Sequence, residues 1–152
     1  MKLPESLFAI INPVMGTFLR SPFHGLLSDS IMLITFTGRK SGKQFTTPVR
    51  YIKTGETIRC FTAAENQWWR NLKSPAEVHL CIRAKTDRYI ARAVFEDYAE
   101  IRKWLVFYLG LFPQDAAYHN IRLNKDKSLV EADLESAVQN AIVIEANAYD
   151  GT

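Results

Sequence analysis

The chain has 152 residues, 47% of them hydrophobic and 23% charged, with a net charge of +3. That length suits one domain with its own core, and the composition excludes disorder, a collagen-like repeat and a disulfide-stapled scaffold. The charge is uneven: residues 1–95 hold 14 basic and 6 acidic residues, and residues 96–152 hold 5 and 10. No apolar run reaches the roughly 20 residues of a membrane span.

In chain order, residues 1–28 read as an N-terminal helical segment. Its helix, Pro4–Arg20, repeats Leu7, Ile10, Ile11, Val14, Met15 and Phe18 at helical spacing. Such a face packs on the chain's own core or lies on a membrane surface, so peripheral membrane contact is one use of it. No cleavage site follows it, and the two cysteines, Cys60 and Cys81, read as small core hydrophobes. A cytoplasmic location is expected.

Ile31–Thr37 is an unbroken run of strand formers. Gly38-Arg39-Lys40-Ser41-Gly42-Lys43 is a turn, and Phe45–Ile52 resumes a strand. Pro48 marks an edge, a bulge or an irregular pairing in that strand, because it has no N–H to donate. Thr54-Gly55-Glu56 turns the chain into a strand at Thr57–Thr62. Asn66–Lys73 reads as a short helix with Asn66 as its cap. Ala76–Ile82 and Arg88–Phe95 alternate apolar and polar residues as half-buried strands. Asp97–Phe112 is a helix with capping-box spacing at Asp97 and Glu100 and an apolar face that runs nearly all round. A helix at Glu131–Gln139 and a strand at Ala141–Ala146 close the chain.

These elements predict an α+β fold, one domain over residues 1–152: about six mainly antiparallel strands closed as a barrel, with flanking helices. The broad apolar face of Ile101–Phe112 raises the expectation of a homodimer.

Two motifs carry chemistry. Five bases and no acid lie between Arg39 and Lys53. The turn lacks the spacing of a P-loop, with three residues between its glycines and Gln44 after Lys43. It still offers backbone and side-chain donors to an anion through Arg39, Lys40 and Ser41. The second motif is Trp68-Trp69-Arg70-Asn71-Leu72. Its adjacent indoles point about 100° apart on a helix, so one suits the core and the other suits the wall of a pocket for a flat ligand. The spacing offers no metal site, no nucleophile elbow and no nucleic-acid surface, since few aromatics interleave with the bases. Any hard chemistry would belong to a cofactor.

The stretch LITFTGRKSGKQFTTPVRYI followed by WWRNLKSP resembles the signature of the deazaflavin-dependent nitroreductase family. The resemblance covers Ile31 to about Ile82 and implies a split barrel related to flavin-mononucleotide-binding oxidoreductases. It implies coenzyme F420 as cofactor, with FMN as the alternative, and hydride transfer to a quinone, a nitro compound or a similar small acceptor. By position, Arg39, Lys40 and Ser41 would meet the cofactor's phosphate or anionic tail. Thr47 and Pro48 would lie beside its ring, and Trp68 and Asn71 would line the pocket. Tyr108, Tyr118 and His119 are the candidates for contacts to the acceptor, with no proton donor assigned. The competing reading is a non-catalytic barrel that holds a flavin, haem or lipid.

Overall fold

The computed structural model describes residues 30–149, so the N-terminal helical segment lies outside the described residues. Six strands form a closed antiparallel barrel: β1 (Ile31–Thr37), β2 (Gln44–Thr54), β3 (Thr57–Ala63), β4 (Ala76–Ile82), β5 (Lys85–Val94) and β6 (Ala141–Ala148). Around the barrel the order is β1-β2-β3-β6-β5-β4. Two α-helices, α1 (Tyr98–Leu111) and α2 (Glu131–Asn140), pack outside it.

Strand alternation builds two layers. One face of each strand fills the barrel, as with Met32, Ile34 and Phe36 of β1. The small Ala91, Ala93 and Ala146 leave room for Trp68 and Trp69, which are both buried in this interior. The opposite face of β3, β5 and β6 meets the helices, where Phe61, Val94 and Val143 contact Ile101, Leu105 and Leu109 of α1 and Leu134 of α2. Leu105 is fully buried, and its side chain alone contributes about 2 kcal/mol of burial energy.

Most ends follow the sequence closely. Asp97 caps α1 by accepting from the Glu100 backbone N–H at 3.4 Å. Its box is half formed, because the Glu100 carboxylate accepts from Trp104 Nε1 instead. Three elements depart. The expected helix over Asn66–Lys73 is a 3-10 helix over Trp68–Leu72, and Asn66 does not cap it. Asn66 Nδ2 donates to Thr62 Oγ1 at 2.9 Å, which holds the side chain back on β3. β5 starts at Lys85 rather than Arg88, because Arg83 and Ala84 turn the chain tightly with φ of 52° and 68°. Pro113–His119, left without an element by the sequence pattern, is a second 3-10 helix.

One seam of the barrel is incomplete. β2 pairs with β1 along all of Gln44–Arg50, including Pro48 opposite Leu33. It pairs with β3 only from Tyr51↔Cys60 to Thr54↔Thr57. Residues 44–50 of β2 and 61–63 of β3 therefore part, and among the described residues nothing pairs with β2 on that side. Pro48 lies in this opened stretch, which is the irregularity its missing N–H requires.

Candidate functional site

The basic turn sits at the open end of this seam. Gly38 N donates to Lys43 O at 2.7 Å and Gly42 N to Gly38 O at 2.9 Å. Gly42 has φ +72°, a conformation that favours glycine. A Cβ on Gly38 would lie 2.9 Å from the Phe45 ring and would have to push it aside. Arg39, Lys40, Ser41 and Lys43 are all exposed on the turn. Ser41 Oγ accepts from Lys43 N at 3.2 Å, so its proton remains available to an outside acceptor.

Asn71 ties the turn to the 3-10 helix. Its Oδ1 accepts from Arg39 N at 2.8 Å and from Arg39 Nη1 at 3.3 Å, and its Nδ2 donates to Trp68 O at 2.8 Å. The side chain expected to line a pocket thus ties the basic turn to the 3-10 helix by both ends of its amide. Trp68 is 4% exposed, stacks on Phe36 with centroids 5.4 Å apart, and donates from Nε1 to Thr62 Oγ1 at 3.2 Å. Trp69 is buried as well and donates to Ala64 O at 3.1 Å. Both indoles are core, so neither forms an open wall.

Alternation separates Thr47 from Pro48. Thr47 pairs with Ile34 of the interior layer, whereas Pro48 pairs with Leu33 and takes the outer face. Thr47 is fully buried, and its Oγ1 has no hydrogen-bond partner among the described residues. An orphaned buried hydroxyl costs about 1–3 kcal/mol. It lies on the strand stretch that the open seam leaves unpaired.

The opening is braced from outside by side chains. Arg50 Nε donates to Asp115 Oδ2, and Tyr108 donates to the same oxygen at 2.7 Å. Tyr108 stacks on Phe61 of β3 with centroids 4.4 Å apart, while the Arg50 guanidinium lies 4.5 Å from the Phe112 ring centroid. Arg50 Nη1 also donates to Ser30 Oγ at 2.6 Å. Burial and the Asp115 carboxylate push the Tyr108 phenol well above its ordinary range, so it stays protonated.

Beyond the brace lies a pocket of about 110 Å³. Ala63 and Glu65 border it from the end of β3, His119 and Asn120 from the second 3-10 helix, and Asp133, Ser136 and Asn140 from α2. His119 is 7% exposed and meets the Tyr108 ring edge-on at 5.6 Å. Asp133 is engaged by Arg122, through Nε at 2.8 Å and Nη2 at 3.1 Å. That contact holds the carboxyl below its usual range. Of the three acceptor candidates, the structure brings His119 to this pocket. Tyr108 is buried with its hydroxyl committed to Asp115, and Tyr118 stands half-buried beside His119, its ring centroid 5.2 Å away. Sequence reasoning did not single out Arg50, Asp115 or Glu65 as site residues, and Pro48 was the one signal pointing to the open seam. Among the described residues no cluster of His, Cys, Asp and Glu could hold a metal ion, and no helix is long and apolar enough to cross a membrane.

A six-stranded antiparallel barrel with one open seam and helices outside it is a split barrel. The sequence profile of the F420H(2)-dependent quinone reductase family matches residues 21–125, and the chain belongs to that family. Its cofactor is F420 and its acceptor a quinone. No curated protein matches the chain. Among solved structures it is similar to a Clostridium acetobutylicum protein related to general stress protein 26, of the pyridoxinephosphate oxidase family. That match has a TM-score of 0.55 and 10% identity over 96% of this chain and 86% of the other. A pyridoxamine 5'-phosphate oxidase-related, FMN binding protein from Nostoc punctiforme aligns at TM-score 0.53 and 11% identity, over 97% and 83%. An F420-H2 dependent reductase aligns at TM-score 0.47 and 18% identity, over 76% and 93%. At these identities the likeness to the first two is one of fold.

Proposed function

We propose that the chain holds reduced F420 along the open β2–β3 seam and presents it to a quinone at the pocket beside Ala63. The observation that carries this reading is the meeting of a basic turn, an unpaired strand edge and a pocket at one end of the barrel. Extending the β2–β3 register past Tyr51↔Cys60 sets Pro48 level with Ala63. The basic turn leads into the start of β2, and Ala63 ends the antiparallel β3, so the turn and the pocket lie at the same end of the barrel.

Bound reduced F420 supplies a hydride. The residues of the chain do the rest. Arg39 and Lys40 neutralise the cofactor's phosphate, and Ser41 Oγ donates to it. Asn71 fixes the turn before the ligand arrives, which lowers the ordering cost of binding. Along residues 44–50 about half of the backbone N–H and C=O groups face the opening, as strand geometry requires. These groups and Thr47 Oγ1 match the polar edge of a heterocycle inserted there, and the orphaned hydroxyl gains its partner. Pro48 flanks the ring on the outer side. Trp68 acts from beneath, through Phe36 and Thr62.

The test is fluorescence titration of the cofactor-free protein with F420 and FMN in parallel. Micromolar F420 binding that the Arg39→Ala, Lys40→Ala double variant loses supports the assignment. Unchanged affinity in the double variant removes the turn from the site. Tighter binding of FMN favours the second reading, a flavin in the same seam, for which the fold shared with FMN-binding barrels speaks. We propose further that a second copy of the chain covers Val106, Phe107 and Leu111 of α1, which are 41%, 45% and 57% exposed. Light scattering that gives a monomer mass removes this part.

A further inference from the structure

We propose that His119 is the proton donor to the acceptor, delivering a proton to a quinone carbonyl oxygen inside the pocket bordered by Ala63, Glu65 and Asn140. The inference rests on the reading of the open seam as the cofactor site. It assigns to the chain a catalytic group that neither the fold nor the family membership supplies.

Quinone reduction needs two electrons and two protons. Bound reduced deazaflavin would supply one proton and both electrons together as hydride. The oxygen that becomes negative as the hydride lands takes the second proton. When His119 gives up that proton, the quinone leaves as hydroquinone and the imidazole is neutral. The proton left over from the reduced cofactor would go to solvent, and His119 regains one from solvent through the pocket mouth. The sum is reduced F420 plus quinone giving F420 plus hydroquinone.

The geometry points to His119 over its neighbours. It is the imidazole of the pocket, a side chain whose ring nitrogens can both donate and accept a proton. Glu65 faces it from the end of β3, and Asp133 from α2 is bound to Arg122. Tyr108 from α1 and Tyr118 beside it meet its ring edge-on, at centroid distances of 5.6 Å and 5.2 Å. The remaining lining groups, Asn120, Ser136 and Asn140, are neutral, and three alanines, Ala63, Ala137 and Ala141, leave space for a ring. A dry cavity of about 150 Å³ holds benzene. A volume of about 110 Å³ therefore admits the carbonyl edge of a quinone and leaves the rest of the ring in the mouth. Arg50, Asp115 and Tyr108 act as positioning residues, because Asp115 lies on the 3-10 helix that carries His119.

The chain has three histidines, so each imidazole resonance can be assigned by single variants. In the cofactor-free protein, menadione is expected to shift the His119 imidazole signals and its titration midpoint, and to leave His24 and His79 in place. In the loaded enzyme, His119→Gln is expected to lower kcat for menadione by about 100-fold or more and to flatten its pH profile, with F420 affinity unchanged. Full kcat in the variant, or a lower kcat with the wild-type pH profile, overturns the proposal. Menadione that leaves His119 unshifted overturns it as well, and this readout holds even where the variant does not fold. Wild-type protein that fails to bind F420 overturns the seam reading on which the inference stands, a result separable from the others.

Discussion

The two seams that flank β3 make opposite use of the same parts. On one side β3 pairs with β6 from Thr57↔Asn147 to Ala63↔Ala141, and β6 pairs with β5 over six further positions. Across this finished ladder, Glu145 accepts from Arg59 and Arg92 at 2.8 Å each, and the Arg59 guanidinium lies 3.5 Å from the Trp104 ring centroid. On the other side β3 pairs with β2 at four positions and then leaves it. There too an arginine, a carboxylate and an aromatic ring meet, as Arg50, Asp115 and Phe112. In the first seam the ionic set reinforces backbone pairing. In the second it sits where backbone pairing stops, on residues no β2–β3 ladder bonds join. A gap braced in this way is a built feature of the fold rather than a frayed end.

The sharpest way to break this contrast is Glu145→Ala. Glu145 and Arg59 have side chains 11% and 12% exposed, so the change strands a buried guanidinium. A loss of about 3–5 kcal/mol in urea unfolding is expected. A loss below 1 kcal/mol would mean that the closed seam owes nothing to its ions. Next in size, Arg39→Ala with Lys40→Ala should weaken F420 binding about 30-fold, near 2 kcal/mol, without moving the urea midpoint. Arg50→Ala should cost about 1–2 kcal/mol, because its ion pair is more exposed than that of Arg59. It should also speed hydrogen exchange at Phe61–Ala63 while sparing Ile142–Ile144. Equal acceleration on both sides of β3 would erase the distinction between the seams.

A smaller effect comes from pH. Cys60 is the last β3 residue paired with β2 before the opening, and burial pushes its thiol up to about 12. A raised thiol pKa favours the folded state fully below the unfolded value of about 8.5, and that contribution fades as pH climbs toward the folded value. Unfolding free energy should fall by about 1 kcal/mol between pH 8 and 9.5, and a Cys60→Ala variant should lack this slope. The smallest change is a gain. Ala84 holds φ 68° in the β4–β5 turn, away from either seam. Ala84→Gly should relieve that backbone and raise stability by about 0.5–1 kcal/mol, read as a higher Tm. A lower Tm would mean that unfolded-chain entropy outweighs the strain.

The fold was largely legible because its signals are local. β1 and β4 appear at the boundaries their patterns give, and Asp97 caps α1 as its spacing implies. The basic turn was legible for the same reason: glycines and bases announce it within six residues. The β4–β5 turn was not, since Arg83 and Ala84 carry none of the residues that mark positive φ. Asn66 misled because an amide that suits a helix cap equally suits the Thr62 hydroxyl it bonds. The double-tryptophan motif misled by its polar neighbours, since the space for both indoles is made by distant alanines on β5 and β6. The pocket was invisible because β3, the second 3-10 helix and α2 each contribute part of it, and no spacing along the chain relates them. His119 could be picked out as a residue, but not its surroundings.

Pro48 has one more consequence, for the protein before it meets its ligand. An open seam is an unsatisfied strand edge, and such edges recruit strands from other molecules into aggregates. A proline in the middle of that edge cannot donate to an incoming strand, and three exposed bases on the neighbouring turn repel a second copy of the same surface. If the seam takes the cofactor as proposed, the same groups act as gatekeepers of solubility until it binds.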